Sequence, residues 1–348
     1  MAMVDVTVRG GGAFGLACAW ECARRGARVR LVELAKRVGT GASGGLEGAL
    51  SPHVPENWNP KKQFQFESLV MAEAFWAAVN AAGGGNAGYA RIGRVMPLQD
   101  DAAVTRASER ALGAARHWQG KAQWRIAKAA EFEGLAPRSG TGFVVHETLS
   151  ARANPRGAGG ALAAAFAAKG GEMVFGDAPD EGAVIWATGV AGLRDLSAAF
   201  GREIGGGVKG QCASLAYAAD HAPLIYAEGI YMVPHANGTV VIGATSEREF
   251  EAPGTTDDQL EALIDRAREV CPSLADAPVL ERWAGVRPRA ASRAPMLGHW
   301  PGRAGHYVAN GGFKIGFGVA PKVAAVMADL VLEGRDEIPD GFRVEDSF

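Results

Sequence analysis

Short β-branched runs alternate with longer stretches whose apolar residues recur every three to four positions. Residues 4–9 are a β-branched run stopped by Gly10-Gly11-Gly12, which predicts a first strand. Residues 13–25 are good helix formers closed by Gly26, and residues 28–33 (RVRLVE) return to a strand pattern. The chain therefore opens with a βαβ unit. Residues 36–53 form a loop dense in Gly and Ser. Helical spacing returns over 64–81, closed by Gly83-Gly84-Gly85, and a strand interrupted at Gly93 is expected over 89–99. Helices are predicted over 101–118 and over 155–169, the second with Pro155 near its first turn. Two short strands are expected near 173–175 and 183–187. From 209 to 245 strands dominate, and 230–233 and 239–244 flank an Asn237-Gly238 hairpin turn. A helix over 255–270, a strand over 279–288 and a last helix over 315–332 precede a polar tail after Gly334. There is no internal repeat and no low-complexity linker. α/β character brackets a strand-rich middle, which argues for two domains interleaved in sequence.

Composition narrows the class. The 348 residues suit about two domains. A hydrophobic share of 48% with 21% charged residues is that of a soluble globular protein, which rules out disorder, collagen and a small disulfide scaffold. With 36 basic and 38 acidic side chains the net charge is -2, which provides no footprint for non-specific nucleic-acid binding. The 48 glycines are about twice the number expected from average usage and cluster beside apolar runs, pointing to close backbone approach to a ligand. Cys18, Cys22, Cys212 and Cys271 form no C-x-x-C pair, so no metal or redox motif is expected, and Cys18 and Cys22 are read as small buried side chains of a helix. No signal peptide precedes the first strand, and the bland stretch 157–168 is too short to cross a bilayer. The expectation is a cytoplasmic protein with reduced thiols and no stable membrane insertion.

Gly10-Gly11-Gly12-Ala13-Phe14-Gly15 is a G-x-G-x-x-G that follows a strand and opens a helix. The first glycine permits the tight turn, the second lets backbone approach a pyrophosphate, and the third lets helix and strand pack closely. Glu33, at the end of the second strand, suits the ribose hydroxyls of an adenosine and disfavours a 2′-phosphate. This context predicts a Rossmann-like site for an adenine dinucleotide. Between NAD and FAD, a second loop, Gly39-Thr40-Gly41-Ala42-Ser43-Gly44-Gly45, suits the longer cofactor. The strand ending in Ala187-Thr188-Gly189 can close over the diphosphate from the other side. Gly311-Gly312-Phe313-Lys314-Ile315-Gly316-Phe317-Gly318 opens the last helix with a second glycine-rich N-terminus, able to stabilise negative charge on a reduced flavin.

Taken in order, these segments resemble the glycine oxidase / D-amino-acid oxidase family of FAD-dependent amine oxidases, which includes the sarcosine oxidases. The resemblance rests on GGGAFG with Glu33, TGASGG, ATG, Val208-Lys209-Gly210-Gln211, YMVPHANGTVVIGAT from Tyr231, WAGVRP from Trp283, PMLG from Pro295 and GGFKIGFG. It implies an α/β (α+β overall) fold: a Rossmann-like FAD-binding domain interleaved with a mostly antiparallel-sheet substrate domain. The FAD-binding domain is expected to comprise residues 1–54, 143–200 and 286–348, and the substrate domain 55–142 and 201–285. The cofactor implied is FAD, held non-covalently because no cysteine lies near the C-terminal flavin loop. Its expected contacts are Gly10, Gly12, Ala13, Phe14, Gly15, Glu33, Leu34, Thr40, Ala42, Ser43, Gly44, Gly45, Ala187, Thr188, Gly189, Gly312, Phe313, Lys314, Ile315 and Gly316. By the same resemblance Arg287 meets the substrate carboxylate, Tyr231 assists it, and Lys314 sits beside flavin and carboxylate. There are departures. No acid follows the R-P pair at Arg287-Pro288, and the strand 239–242 (TVVI) lacks the lysine that activates oxygen in sarcosine oxidases.

Amino-acid oxidation asks for positioning above all. A planar guanidinium grips a carboxylate through two parallel hydrogen bonds, and holding reactants near attack distance supplies roughly 7–11 kcal/mol of a barrier. No general base is then obligatory, because the hydride leaves with the C–H electrons. The expected reaction is oxidation of glycine, sarcosine or a D-amino acid to an imine and then a 2-oxo acid, with O2 or another acceptor reoxidising the flavin and H2O2 as the oxidase product. Alternatives are a dehydrogenase passing electrons to a quinone or carrier, a flavoprotein acting on a modified tRNA base, and a flavin-binding protein without catalysis. Arg282, Arg289 and Arg293 are read as surface charges. His53, His235, His299 and His306 are assigned no role beyond structure, and Trp58, Trp76 and Trp283 are read as packing residues. The partners expected are a small amino acid and an electron acceptor. Nucleic acid is not among them, and a homo-oligomer is compatible with the sequence.

Overall fold

A computed structural model of the chain describes residues 3–132 and 134–348. The opening unit is β1 (Val6–Arg9), α1 (Ala13–Arg24) and β2 (Val29–Glu33), with β1 and β2 parallel and Val6 opposite Val29. The two-residue strand β3 (Ala49–Leu50) leaves the glycine-rich loop, and α2 (Pro60–Gly83), β4 (Arg94–Pro97), α3 (Asp101–His117), β5 (Trp124–Lys128), β6 (Phe143–Glu147) and β7 (Ala151–Arg152) follow. Next come α4 (Pro155–Ala168), β8 (Glu172–Phe175), β9 (Ala183–Trp186) and α5 (Gly189–Phe200). The middle holds β10 (Gly205–Ala216), β11 (Leu224–Ala227), β12 (Ile230–His235) and β13 (Thr239–Gly243), and then α6 (Asp258–Val270). The chain closes with β14 (Val279–Ala290), β15 (Met296–His299), β16 (His306–Asn310) and α7 (Gly316–Glu333).

Two large sheets organise these elements, beside a two-stranded pair of β3 and β7. One has six strands in the order β15-β16-β9-β1-β2-β8, parallel except for β15, and the other has eight in the order β14-β10-β13-β12-β11-β4-β6-β5. α1, α4 and α7 bury their apolar faces with the six-stranded sheet and α2, through Leu16, Trp20, Trp76, Phe166 and Met327, each at most 2% exposed. α6 covers one face of the eight-stranded sheet, where Leu260, Ile264 and Ala267 meet Ala213, Leu215, Met232, Val240 and Ile242. Strand periodicity then turns the neighbours of those residues to the opposite face. Gly210 and Cys212 of β10, Tyr231 of β12 and Arg287 of β14 thereby face a cavity between the sheets.

The mixed α/β architecture is the one expected. α2 begins four residues before the expected helix because Asn59 caps it, accepting from Lys62 N–H, and Pro60 takes its first position. Gly84, at φ +65°, ends it, and Gly93, at φ +72°, interrupts the following strand. The sequence pattern did not reveal α5, whose first turns carry Gly189 and Gly192, nor the short strands β5, β6, β7, β15 and β16. Residues 143–147 pair with β4 and β5 in the eight-stranded sheet, so the segment expected to run from 143 with the dinucleotide fold divides between the two sheets. β14 likewise runs without a break across position 286.

Candidate active site

Four helices, α2, α3, α4 and α6, are capped by Asn59, Asp100, Asn154 and Asp257, whose side chains accept backbone N–H groups. The helices α1, α5 and α7 have no such cap, and their N-cap residues Gly12, Thr188 and Ile315 all line the cavity. Three helix N-termini with unspent donors and positive dipole ends therefore converge on one space of about 990 Å³. Gly10, at φ +105°, makes the turn out of β1. A Cβ on Gly15 would lie 1.8 Å from Gly10 O, so only glycine lets α1 start this close to the turn. Ser43 Oγ accepts from Ala13 N–H at 2.9 Å, which fastens the second glycine loop to the first. Glu33 Oε2 accepts from Gly11 N–H at 2.6 Å and Oε1 from Ala35 N–H at 2.9 Å, which orients the carboxylate at the cavity wall. Of the expected cofactor contacts, all but Gly15 and Gly44 line the cavity; these two support it from behind, a Cβ on Gly44 meeting Gly39 O at 2.2 Å. Leu34 stands at its rim, 73% exposed.

At the other end, Arg287 Nη2 donates to Thr245 O at 2.6 Å and Lys209 O at 3.2 Å, and its Nε is buried without a partner. The segment bearing Thr245 is fixed in turn. Lys209 Nζ lies 3.3 Å from Glu247 and 3.1 Å from Asp257, and Gln211 Nε2 donates to both of these carboxylates. Arg287 is thus held by backbone oxygens, without a carboxylate partner among the described residues. Glu281, on the same strand as Arg287, pairs instead with Arg156 at 2.7 Å. Phe313 takes a left-handed backbone, φ +44°, with its N–H on Pro288 O, and its ring lies 5.5 Å from the Arg287 guanidinium and 5.7 Å from Lys314 Nζ. Burial, and next the charge of Arg287, lower the Lys314 pKa, while Glu47 pulls it back up. Arg289, expected at the surface, is partly buried and also sits 5.5 Å from the Phe313 ring.

A family model for FAD-dependent oxidoreductases (DAO) matches residues 5–330. The chain belongs to the DAO family of FAD-dependent oxidoreductases. It is 36% identical to the glycine oxidase of Pseudomonas aeruginosa over 38% of this chain and 36% of that protein. The matched stretch thus spans about a third of the length of that relative. It is 27% identical to the glycine oxidase of Geobacillus kaustophilus over 94% of this chain and 92% of that one. The crystal structure of glycine oxidase from Geobacillus kaustophilus superposes with a TM-score of 0.84 at 23% identity, covering 98% of both chains, and so shares the fold.

The cofactor of the DAO family fits this cavity. Thr188 Oγ1 is buried there with no partner among the described residues, and the helix ends and the Gly10–Gly15 cradle suit a diphosphate. Other wall residues escaped the sequence reading. Glu47, a lone acid inside the apolar stretch after the second loop, lines the cavity; burial raises its pKa, opposed by Arg287 and Lys314. The Cys212 thiol is pushed up to about 12, chiefly by burial. Arg94 is 3% exposed, donates to the Tyr231 hydroxyl at 2.8 Å and pairs with the fully buried Glu147 at 3.0 Å. Tyr231 is therefore positioned by a residue that nothing in its own strand signals. His53 lines the cavity with Nδ1 bonded to Gln65 Oε1, and Asn310 ties β16 to α5 through Gly189 O at 2.8 Å. No helix among the described residues is long and apolar enough to cross a membrane.

Proposed function

We propose that this chain oxidises a small amino acid: glycine, sarcosine or a D-amino acid. The observation that carries the reading is Arg287, a guanidinium without a carboxylate partner among the described residues, aimed into the same cavity as the dinucleotide cradle and backed by Lys314. A desolvated cation of this kind is stabilised by an anionic ligand. Bound FAD would supply the hydride acceptor and the route of electrons to dioxygen or another acceptor.

Residues 1–54, 148–200 and 286–348 supply the cofactor side in this reading, and the eight-stranded sheet covers it. Gly10, Gly12, Ala13, Phe14 and Ser43 would hold the diphosphate, with Thr40, Ala42, Gly45, Ala187, Thr188 and Gly189 around it. Glu33 would take the ribose, Leu34 the adenine rim, and Gly312 to Gly316 the pyrimidine end. Arg287 grips the substrate carboxylate, Lys314 adds a second positive contact, and the Tyr231 hydroxyl, held by Arg94, limits the space around the α-carbon. Hydride departure from Cα and loss of a proton from nitrogen leave an imine, which water converts to the 2-oxo acid and the free amine: ammonia from a primary amino acid, methylamine from sarcosine. With dioxygen as acceptor the two electrons and two protons leave as H2O2.

One observation favours a second acceptor. At the centre of β13, on the side away from α6, Val241 is buried against Leu46, Cys212 and Trp283, and Glu47 adjoins Gly243, so this strand offers no cation to activate oxygen. Electron transfer to a quinone or a carrier is the reading that follows. Anaerobic titration of the FAD-loaded protein with glycine, sarcosine, D-alanine and D-proline tests the substrate class through bleaching of the flavin band. Reoxidation rates in air and with an artificial acceptor then separate the two acceptors. Absence of bleaching by every amine overturns the proposal.

A further inference from the structure

Arg287 and Arg289 lie two apart on β14 and so project from one face of the strand. Each guanidinium carbon is 5.5 Å from the Phe313 ring centroid, so the two are separated by no more than twice that radius. Arg287 belongs to the site above; Arg289 has no role in it. Arg289 is partly buried and has no ion pair among the described residues. Its pKa is lowered by burial and then by Arg248 and Arg293; that of Lys61 on α2 is lowered by burial and then by Arg289 and Arg293. Glu47 acts on Arg287 and Lys314, whereas the charges that act on Arg289 are all cations. Lys61 spends its ammonium on Arg293 O, which brings the cluster closer together. Arg289 thus stands among like charges, of which Arg248 and Arg293 are exposed, and the Phe313 ring links it to Arg287 and Lys314 at the cavity wall. Like charges partly removed from water oppose folding, and a bound anion relieves both the repulsion and the lost solvation.

We infer that Arg289, reinforced by Arg293, Arg248 and Lys61, forms a second anion subsite, and that the substrate is an amino acid with two carboxylates, one on Arg287 and the other on Arg289. This rests on the amino-acid reading above and narrows it. The second group is read as a carboxylate because a planar guanidinium beside an aromatic face matches a planar two-oxygen acceptor.

The test is calorimetric binding of unreactive ligands to the FAD-loaded protein at fixed ionic strength: acetate, malonate, succinate and phosphonoacetate. Malonate or succinate is expected to bind at least about tenfold tighter than acetate, and Arg289→Gln should erase that preference while acetate changes less than about threefold. Arg293→Gln, at an exposed position, should reduce the preference and serves if Arg289→Gln does not fold. Equal binding of acetate and malonate to the parent, or a preference that survives in Arg289→Gln, overturns the inference. Phosphonoacetate binding tighter than malonate overturns the carboxylate assignment in favour of phosphate. Failure of the amino-acid reading is a separate result: no amine bleaches the flavin although the dicarboxylate preference is present.

Discussion

The guanidinium of Arg287 occupies the space where a side chain at Gly210 would begin: a Cβ there would lie 2.3 Å from Nη2 and 2.4 Å from Cζ. The cause is register. β10 and β14 are antiparallel with Val208 opposite Arg287, so residue 210 is the same-face neighbour over which the long side chain folds. Gly210→Ala should therefore displace the guanidinium and leave the cofactor end untouched. The expected outcome is a loss of about tenfold or more in acetate affinity, measured by calorimetry, with the flavin absorption spectrum retained. Unchanged affinity would show that Arg287 does not hold the carboxylate.

Arg287→Lys keeps the charge and removes the fork. A hydrogen bond to a charged group is worth about 1.5–3 kcal/mol, so losing one of two should weaken carboxylate binding roughly 10- to 100-fold. KM for the oxidised amine should rise in parallel, as steady-state kinetics would record.

Gly15→Ala puts a methyl 1.8 Å from Gly10 O, and neither backbone segment can yield without moving the βα turn. The purified variant should be colourless, or lose its flavin on gel filtration where the parent stays yellow.

Arg94→Ala leaves the fully buried Glu147 without its cation, although Leu149 N–H, Ser150 N–H and the Ser150 hydroxyl still donate to it. Breaking a buried pair from one side costs about 3–5 kcal/mol. Urea unfolding of the variant should show a loss of that size, and the freed Tyr231 hydroxyl should raise KM beyond the stability effect.

Burial raises the Glu47 pKa above its ordinary value of 4.5. The unfolded chain then releases this proton first, so the Glu47 contribution to stability falls as pH rises from about 4.5 to the folded pKa. Glutamine has no such dependence. Relative to the parent, Glu47→Gln should gain stability between pH 4 and pH 8 in denaturant titrations; a difference that is flat with pH would contradict the assignment.

Local patterning carried much of this protein on its own. The βαβ opening, the glycine turn at Gly10–Gly15, the helices α2, α4 and α7 and the β12–β13 hairpin follow from periodicity, caps and turn residues, because those forces act over a few positions. Arg287 and Lys314 were legible because they stand among apolar residues and glycines. The tertiary structure decided what depends on long-range pairing. β6 (FVVHE) shows no clean alternation, and only its partners β4 and β5 assign it to the eight-stranded sheet. Arg289 looked like a surface charge until Phe313, 24 residues later in the chain, came to lie beside it. Arg94 and Tyr231 are 137 positions apart, and Glu47 is an ordinary acid until the fold brings Arg287 and Lys314 to it. A residue's own neighbourhood in sequence sets its backbone, whereas its charge, solvation and partners are set by whatever the sheets bring across the cavity.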